Sequence, residues 1–272
     1  MAVSSRAFLR RGILVAAAAL TLPLGVLAAS AQKEAATGTI DPRADAVLKR
    51  MSHDLSSMGS FRVSGDSSTE VVLKSGEKIA HEATSNIAVK RPDMARSDRV
   101  GAESNMSFFY NGKDITLLGR RLNMYATTPA PQTLDGAIDF SRDKLGLDLP
   151  AADLLVSDPY KALTEDVVSG EYIDESTVDG VLCDHIAFRG HDVDFQLWVA
   201  KNTPRALPVK YLITSKKVTG EPEFTVRLRD WQPDASLSNS IFEFTPPPGA
   251  TKIDFLGVQS AKAARGGQGG AG

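Results

Sequence analysis

Apolar side chains recur at helical spacing from residue 42 and at every second position from residue 61, so the patterned part of the chain opens with a helix and continues in strands. Val47, Leu48, Met51, Leu55 and Met58 form the helical stripe. Asp41-Pro42 supplies a side-chain cap and a proline at the first helical position, where its missing N–H costs nothing. Gly59 is the expected left-handed stop. Phe61 and Val63, Val71 and Leu73, and Ile87 and Val89 then alternate against polar neighbours, with turns at Ser75-Gly76 and Arg91-Pro92-Asp93. Residues 108–118 read FFYNGKDITLL. Asn111-Gly112, two residues that tolerate positive φ, sit between β-rich arms and predict a two-residue hairpin turn.

Pro129-Ala130-Pro131 closes this β region. Leu134, Ile138, Ser141 and Leu145 return to helical spacing, with Thr133 as the cap and Gly146 after the last turn. Leu149-Pro150-Ala151 and Ser157-Asp158-Pro159 each open a short helix, around Leu154 and Leu163. Strands resume after Asp166. Asp179-Gly180 marks a turn, and residues 181–189 and 193–200 flank Gly190-His191-Asp192 as a hairpin. Residues 207–218 and 223–231 form another pair, and Phe242-Glu243-Phe244 a last short strand. Strands that meander without βαβ alternation argue against a parallel sheet. The expected fold is mainly β (α+β): an incomplete antiparallel β-barrel, or strongly curved sheet, with the central helices as a lid. Two β-domains joined by helices are the alternative.

The first 31 residues read differently. Arg6, Arg10 and Arg11 precede an uncharged run from Ile13 to Ala29, and Ala29-Ser30-Ala31 suits signal peptidase. Residues 1–31 are therefore expected to be a cleaved signal peptide, 32–40 a flexible lead-in, 41–255 a single domain and 256–272 a disordered Gly-rich tail. The apolar run is short for a spanning helix and contains Pro23. No cysteine follows it for lipid attachment. The expected product is a periplasmic or otherwise exported protein with no stable membrane insertion.

Composition narrows the chemistry. With 272 residues, 42% hydrophobic and 24% charged, the chain is ordinary globular protein. Its formal charge is −2 and no stretch is strongly basic, which argues against nucleic acid as a partner. Cys183 is the only cysteine, so there is neither an internal disulfide nor a multi-cysteine zinc site.

Longer segments resemble a known family. SFRVS (60–64), FFYNGKDITLL and NMYATTPAPQTLD (123–135) in the first half, and GVLCDHIAFRG (180–190), QLWVAKNTPRALPVKY (196–211) and FEFTPPPGA (242–250) in the second, are similar to a domain-of-unknown-function family of predicted periplasmic proteins. That family in turn resembles the LolA/LolB lipoprotein-localisation fold. The resemblance implies an incomplete barrel with a helical lid over an apolar cavity. It brings no catalytic residues and no cofactor.

Cys183, Asp184, His185, His191, Asp192 and Asp194 are the densest polar cluster, but they lack four-ligand metal spacing and strand alternation divides them between two faces. His53 reads as a surface histidine on the first helix, and His81 lies in a polar strand or turn. No G-x-S-x-G elbow or phosphate loop occurs, so no catalytic or metal residues are assigned. The functional signal lies in apolar positions that share a strand phase: Val71, Leu73, Ile87, Val89, Phe108, Tyr110, Leu117, Met124, Phe195, Leu197, Tyr211, Ile213, Phe224, Val226 and Leu228. Together they are expected to line one concave cavity that takes a lipid or lipoprotein acyl chain. Met51, Met58, Met94 and Met124 are expected to be adaptable fillers around it. Trp198 and Trp231 are expected outside it, under a helix. The plain alternative is that these residues fill an ordinary core and the protein is an envelope interaction module. A hydrolase with a spatially assembled site is a further alternative.

Overall fold

The structure, a computed structural model, describes residues 38–102 and 105–255. The expected signal segment, the lead-in as far as residue 37 and the Gly-rich tail lie outside the described residues. A capped helix, α1 (Pro42–Ser57), comes first, with the Asp41 carboxylate accepting from the Arg43 N–H at 2.7 Å. Six strands follow: β1 (Ser60–Val72), β2 (Lys78–Lys90), β3 (Met94–Gly101), β4 (Asn105–Tyr110), β5 (Asp114–Gly119) and β6 (Met124–Pro129). The chain then crosses over through α2 (Leu134–Asp143), a single 3-10 turn (Ala152–Leu154) and α3 (Pro159–Thr164). It returns through β7 (Val167–Val178), β8 (Val181–Gly190), β9 (Val193–Ala200), β10 (Pro208–Ser215) and β11 (Glu223–Pro233). A second 3-10 turn (Asn239–Ile241) precedes β12 (Thr251–Lys252).

All twelve strands join one sheet in the order β12-β6-β5-β4-β3-β2-β1-β11-β10-β9-β8-β7. Pairing of β1 with β11 makes the two β-rich halves a single layer. Strands β12 and β7 end that order unpaired with each other, so the barrel does not close. Every pair is antiparallel except β12 on β6, which is parallel. No described helix is long and apolar enough to cross a membrane.

Helices cover one face of the sheet. Ala44, Val47, Leu48, Met51 and Leu55 of α1, Leu134, Ala137 and Ile138 of α2, Leu154 of the 3-10 turn and Leu163 of α3 join the main core with the strands. The opposite face is strapped by residues 235–244. Leu237 and Phe242 bury themselves against Ala88 of β2, and Phe244 packs on the rings of Phe109 and Tyr125 at 5.4 and 4.9 Å.

Several local expectations change. Gly59 is not left-handed; the helix ends on Met58, which is already extended. In the 108–118 hairpin only Gly112 takes positive φ, while the Asn111 side chain accepts from the N–H groups of Lys113 and Asp114. Asn111 thus builds the turn with its amide oxygen rather than its backbone. Phe242-Glu243-Phe244 is not a strand, because it lies across a sheet face, where no free edge offers ladder partners; the last strand is β12.

Asp179-Gly180 makes the tight hairpin instead, with φ of 49° and 83° joining Val178 to its partner Val181. A Cβ on Gly180 would meet nothing within 4 Å, so its cost is purely conformational. Gly180→Ala should therefore destabilise the protein by about 1 kcal/mol, read as a lower urea midpoint with an unchanged slope. No change in midpoint would mean that the turn relaxes to another type.

Candidate functional site

Directly opposed residues of an antiparallel pair point to the same side, so register carries a face across the whole sheet. Leu117 opposes Phe108, which opposes Ser97, then Ile87 and Val63. Toward the other end, Thr69 opposes Phe224, then Ile213, Phe195 and Phe188. Apart from Leu73, which lies just beyond β1, every position expected from strand phase falls on this inner face.

Depth divides the set. Val89, Tyr110, Phe195, Leu197, Tyr211, Val226 and Leu228 are buried, and Ile87, Phe108, Ile213 and Phe224 pack half-buried against the same core. Leu117 is half-buried. Val71, Leu73 and Met124 are 44%, 43% and 37% exposed, so they do not line an interior. They sit near strand ends at the side of the sheet where β1 gives way to β2 and β5 to β6, away from the helices' cover. Met51 and Met58 are fully buried core, but Met94 packs on the opposite face with Ala88 and Phe242.

The interior is accordingly filled rather than hollow over much of its extent. On this side a groove of about 330 Å3 opens under α3 and the 3-10 turn. Leu163, Val167, Phe195 and Tyr211 form its apolar walls, and Asp153, Glu165, Asp166 and Asp192 stand around it. Phe195 and Tyr211 meet edge to face at 5.9 Å, and Phe188 stacks behind Phe195 at 4.9 Å. Gly170 of β7 makes that stacking possible, since a Cβ there would meet the Phe188 ring at 2.6 Å. Burial drives the Tyr211 phenol far above its ordinary pKa, with Asp153 adding to the shift and Arg142 opposing it. It stays protonated at any physiological pH.

On the outer face, a polar cleft of about 400 Å3 runs between β1–β3 and the C-terminal strap, with Arg62, Asn86, Arg96 and Asp98 among its lining. Arg96 and Arg120 both hold Asp98, and their hydrogen bonds, with that of Ser107, outweigh burial and keep its carboxyl below the usual range.

The polar cluster around Cys183 is dispersed. Cys183 is fully buried on the outer face with Trp198 and Val209, and burial pushes its thiol up to about 11. His185 stacks on Trp198 at 4.1 Å, and Lys210 covers the same indole, with its Nζ at 4.1 Å. His191 and Asp192 occupy the exposed β8–β9 turn. Among the described residues no group of three or more His, Cys, Asp or Glu could hold a metal ion. His53 is exposed on α1, and His81 faces inward on β2 opposite Thr69.

Trp198 lies outside the main core as expected, although no described helix covers it. Trp231 does not: a bulge opposite Val63, with Asp230 at φ 55°, reverses the strand phase. Its ring meets Phe61 at 5.6 Å and its N–H donates to Pro208 O. Sequence reasoning also missed the groove's rim. Leu163 served only as a helix landmark, and Val167 belonged to no alternating run; their sequence neighbours gave no signal that a lid edge meets Phe195.

Residues 44–256 match the model of the family described as predicted periplasmic protein (DUF2092). The chain belongs to this family. Its members are described as periplasmic, the location expected from the sequence. No curated protein matches the chain. Among solved structures it is similar to an uncharacterized conserved protein from Thermus thermophilus, with 10% identity, a TM-score of 0.47, and coverage of 78% of this chain and 99% of that one. LprF from Mycobacterium bovis shares 14% identity at a TM-score of 0.42, covering 78% and 100%. A LolA superfamily protein from Nitrosomonas europaea shares 11% at 0.38, covering 74% and 97%.

Proposed function

We propose that this protein is a non-catalytic periplasmic carrier or sensor that holds a lipid or lipoprotein acyl chain against the inner face of its sheet. The observation that carries the reading is the groove under α3, which leads from solvent to the apolar side chains of Phe195 and Tyr211. Chain methylenes placed there leave water at a gain of roughly 25 cal/mol per Å2. Widening the groove requires only that α3 and the 3-10 turn lift from the sheet, and these are the shortest helical elements of the lid. The exposed Val71 and Met124 belong to the same face and, with Leu73 just past the end of β1, would continue an apolar track beyond it.

Ala162 lies half-buried on the groove wall, so Ala162→Trp fills the groove without touching the core's centre. The expected result is about a tenfold weaker affinity for a fluorescent acyl probe, with thermal stability nearly unchanged. Native mass spectrometry of the exported protein should show adducts that disappear on delipidation. A probe that binds neither protein, together with a clean apo mass, would remove the carrier reading. The envelope interaction module would then take its place, since edge strand β7 exposes Val168 and Ile173.

A further inference from the structure

Resting on the carrier reading, we propose that the amphiphile held in the groove bears an ammonium group, which Glu165, Asp166 and Asp192 attract and the Tyr211 hydroxyl receives. Tyr211 is the anomaly that points to this. It is 2% exposed and lines the groove, yet its hydroxyl has no hydrogen-bond partner among the described residues. The other tyrosines of the core region are satisfied: Tyr110 donates to Pro131 O at 2.6 Å, Tyr160 to Asp45 at 2.6 Å and Tyr172 to Asp184 at 2.9 Å. Sealed side-chain atoms without a partner lie elsewhere, at Ser52, Arg91, Asn105 and Ser176, so the Tyr211 hydroxyl opens into the groove, where a ligand's polar group can take the place of water. As a protonated phenol it can accept an N–H of an ammonium and donate to a neighbouring ligand oxygen.

Charge selects the sign of that polar group. Four carboxylates line the groove and no lysine or arginine does. Asp153 is neutralised by Arg142 at 2.9 Å, and Asp192 meets Lys217 only in an exposed pair at 3.3 Å. Asp166 accepts from the backbone N–H of Asp192, and Glu165 has no basic partner among the described residues. A phosphate or carboxylate would meet net repulsion there, whereas a cation meets carboxylates and two aromatic rings, Phe195 and Tyr211, whose faces attract positive charge.

The test is binding of dodecylamine, dodecanol and dodecanoate, each below its micelle concentration, to the full chain at low ionic strength. Dodecylamine should bind roughly tenfold tighter than the other two, and the preference should shrink on adding salt. Glu165→Gln, at an exposed position with no basic partner among the described residues, should narrow the preference about threefold. Tyr211→Phe should weaken the amine selectively. An ethanolamine lysolipid and an S-acylated cysteinyl peptide with a free α-amine separate the two sources of ammonium: tight binding of either assigns the source, and failure of both overturns the proposal. Equal binding of amine and alcohol, or tighter binding of dodecanoate, would overturn it while leaving the carrier reading intact. If none of the three chains binds, the carrier reading itself falls.

Discussion

Leu197→Ala is expected to cost about 2–5 kcal/mol, while Leu73→Ala stays within about 0.5 kcal/mol, although the sequence pattern assigns both to the same strand phase. Leu197 is fully buried at the middle of the inner face, between Ile186 of β8 and Tyr211 of β10. Truncation there removes packed methyl groups and leaves a cavity that neighbours on two strands cannot close without shifting. Leu73 is 43% exposed beyond the end of β1, in the turn toward β2. Its loss uncovers little. Urea denaturation of the two variants checks the contrast, with a lower midpoint for Leu197→Ala at an unchanged slope. Equal effects would mean that the interior is not packed around Leu197. The same pair separates core from track in binding: Leu73→Ala should weaken an acyl probe with folding intact, whereas any effect of Leu197→Ala should follow its stability loss.

Asp184→Asn should destabilise the protein by about 3 kcal/mol near neutral pH, and the loss should vanish in acid. The Asp184 side chain is 5% exposed and accepts from Tyr172 Oη at 2.9 Å, Lys201 Nζ at 3.0 Å and Arg50 Nη2 at 3.0 Å. Through it α1, β7 and the chain after β9 are tied to β8. Burial alone would raise this carboxyl, but the hydrogen bonds from Lys201, Tyr172 and Arg50 outweigh it and hold the pKa below its usual range. A depressed native pKa means that the unfolded chain binds the proton more readily. The contribution is therefore complete above the unfolded carboxyl value of about 4 and is lost as pH falls through the native value. Arg50 is half-exposed and can return to water, which keeps the cost at the lower end of what a broken buried pair shows. Stability curves of both proteins from neutral pH into acid should converge. A constant gap would mean that Asp184 acts through shape rather than charge.

Much of the architecture was legible because it is written locally. Helix α1 with its Asp41 cap, the β-rich runs before and after the helical crossover, and the Asp179-Gly180 turn all follow from periods and punctuation spanning a few residues. Strand phase also placed the predicted apolar residues on one face. Phase says which way a side chain points and nothing about what stands in front of it. Coverage by α1, α2 and α3 decided that Leu197 is core and Val71 is surface, and the helices reach their positions through contacts between residues distant in sequence.

The sequence by itself thus determined the fold class, the order of elements and the face that matters, since each depends on short-range patterning against the geometry of helix and strand. Tertiary structure alone decided the rest. The bulge opposite Val63 turned Trp231 inward, the strap over the outer face took Phe242 and Phe244 out of any strand, and the meeting of α3 with β8 and β9 made the groove around Tyr211. Each is a register or an approach between segments far apart in the chain, where small shifts exchange one set of neighbours for another and local pattern holds no record of the choice.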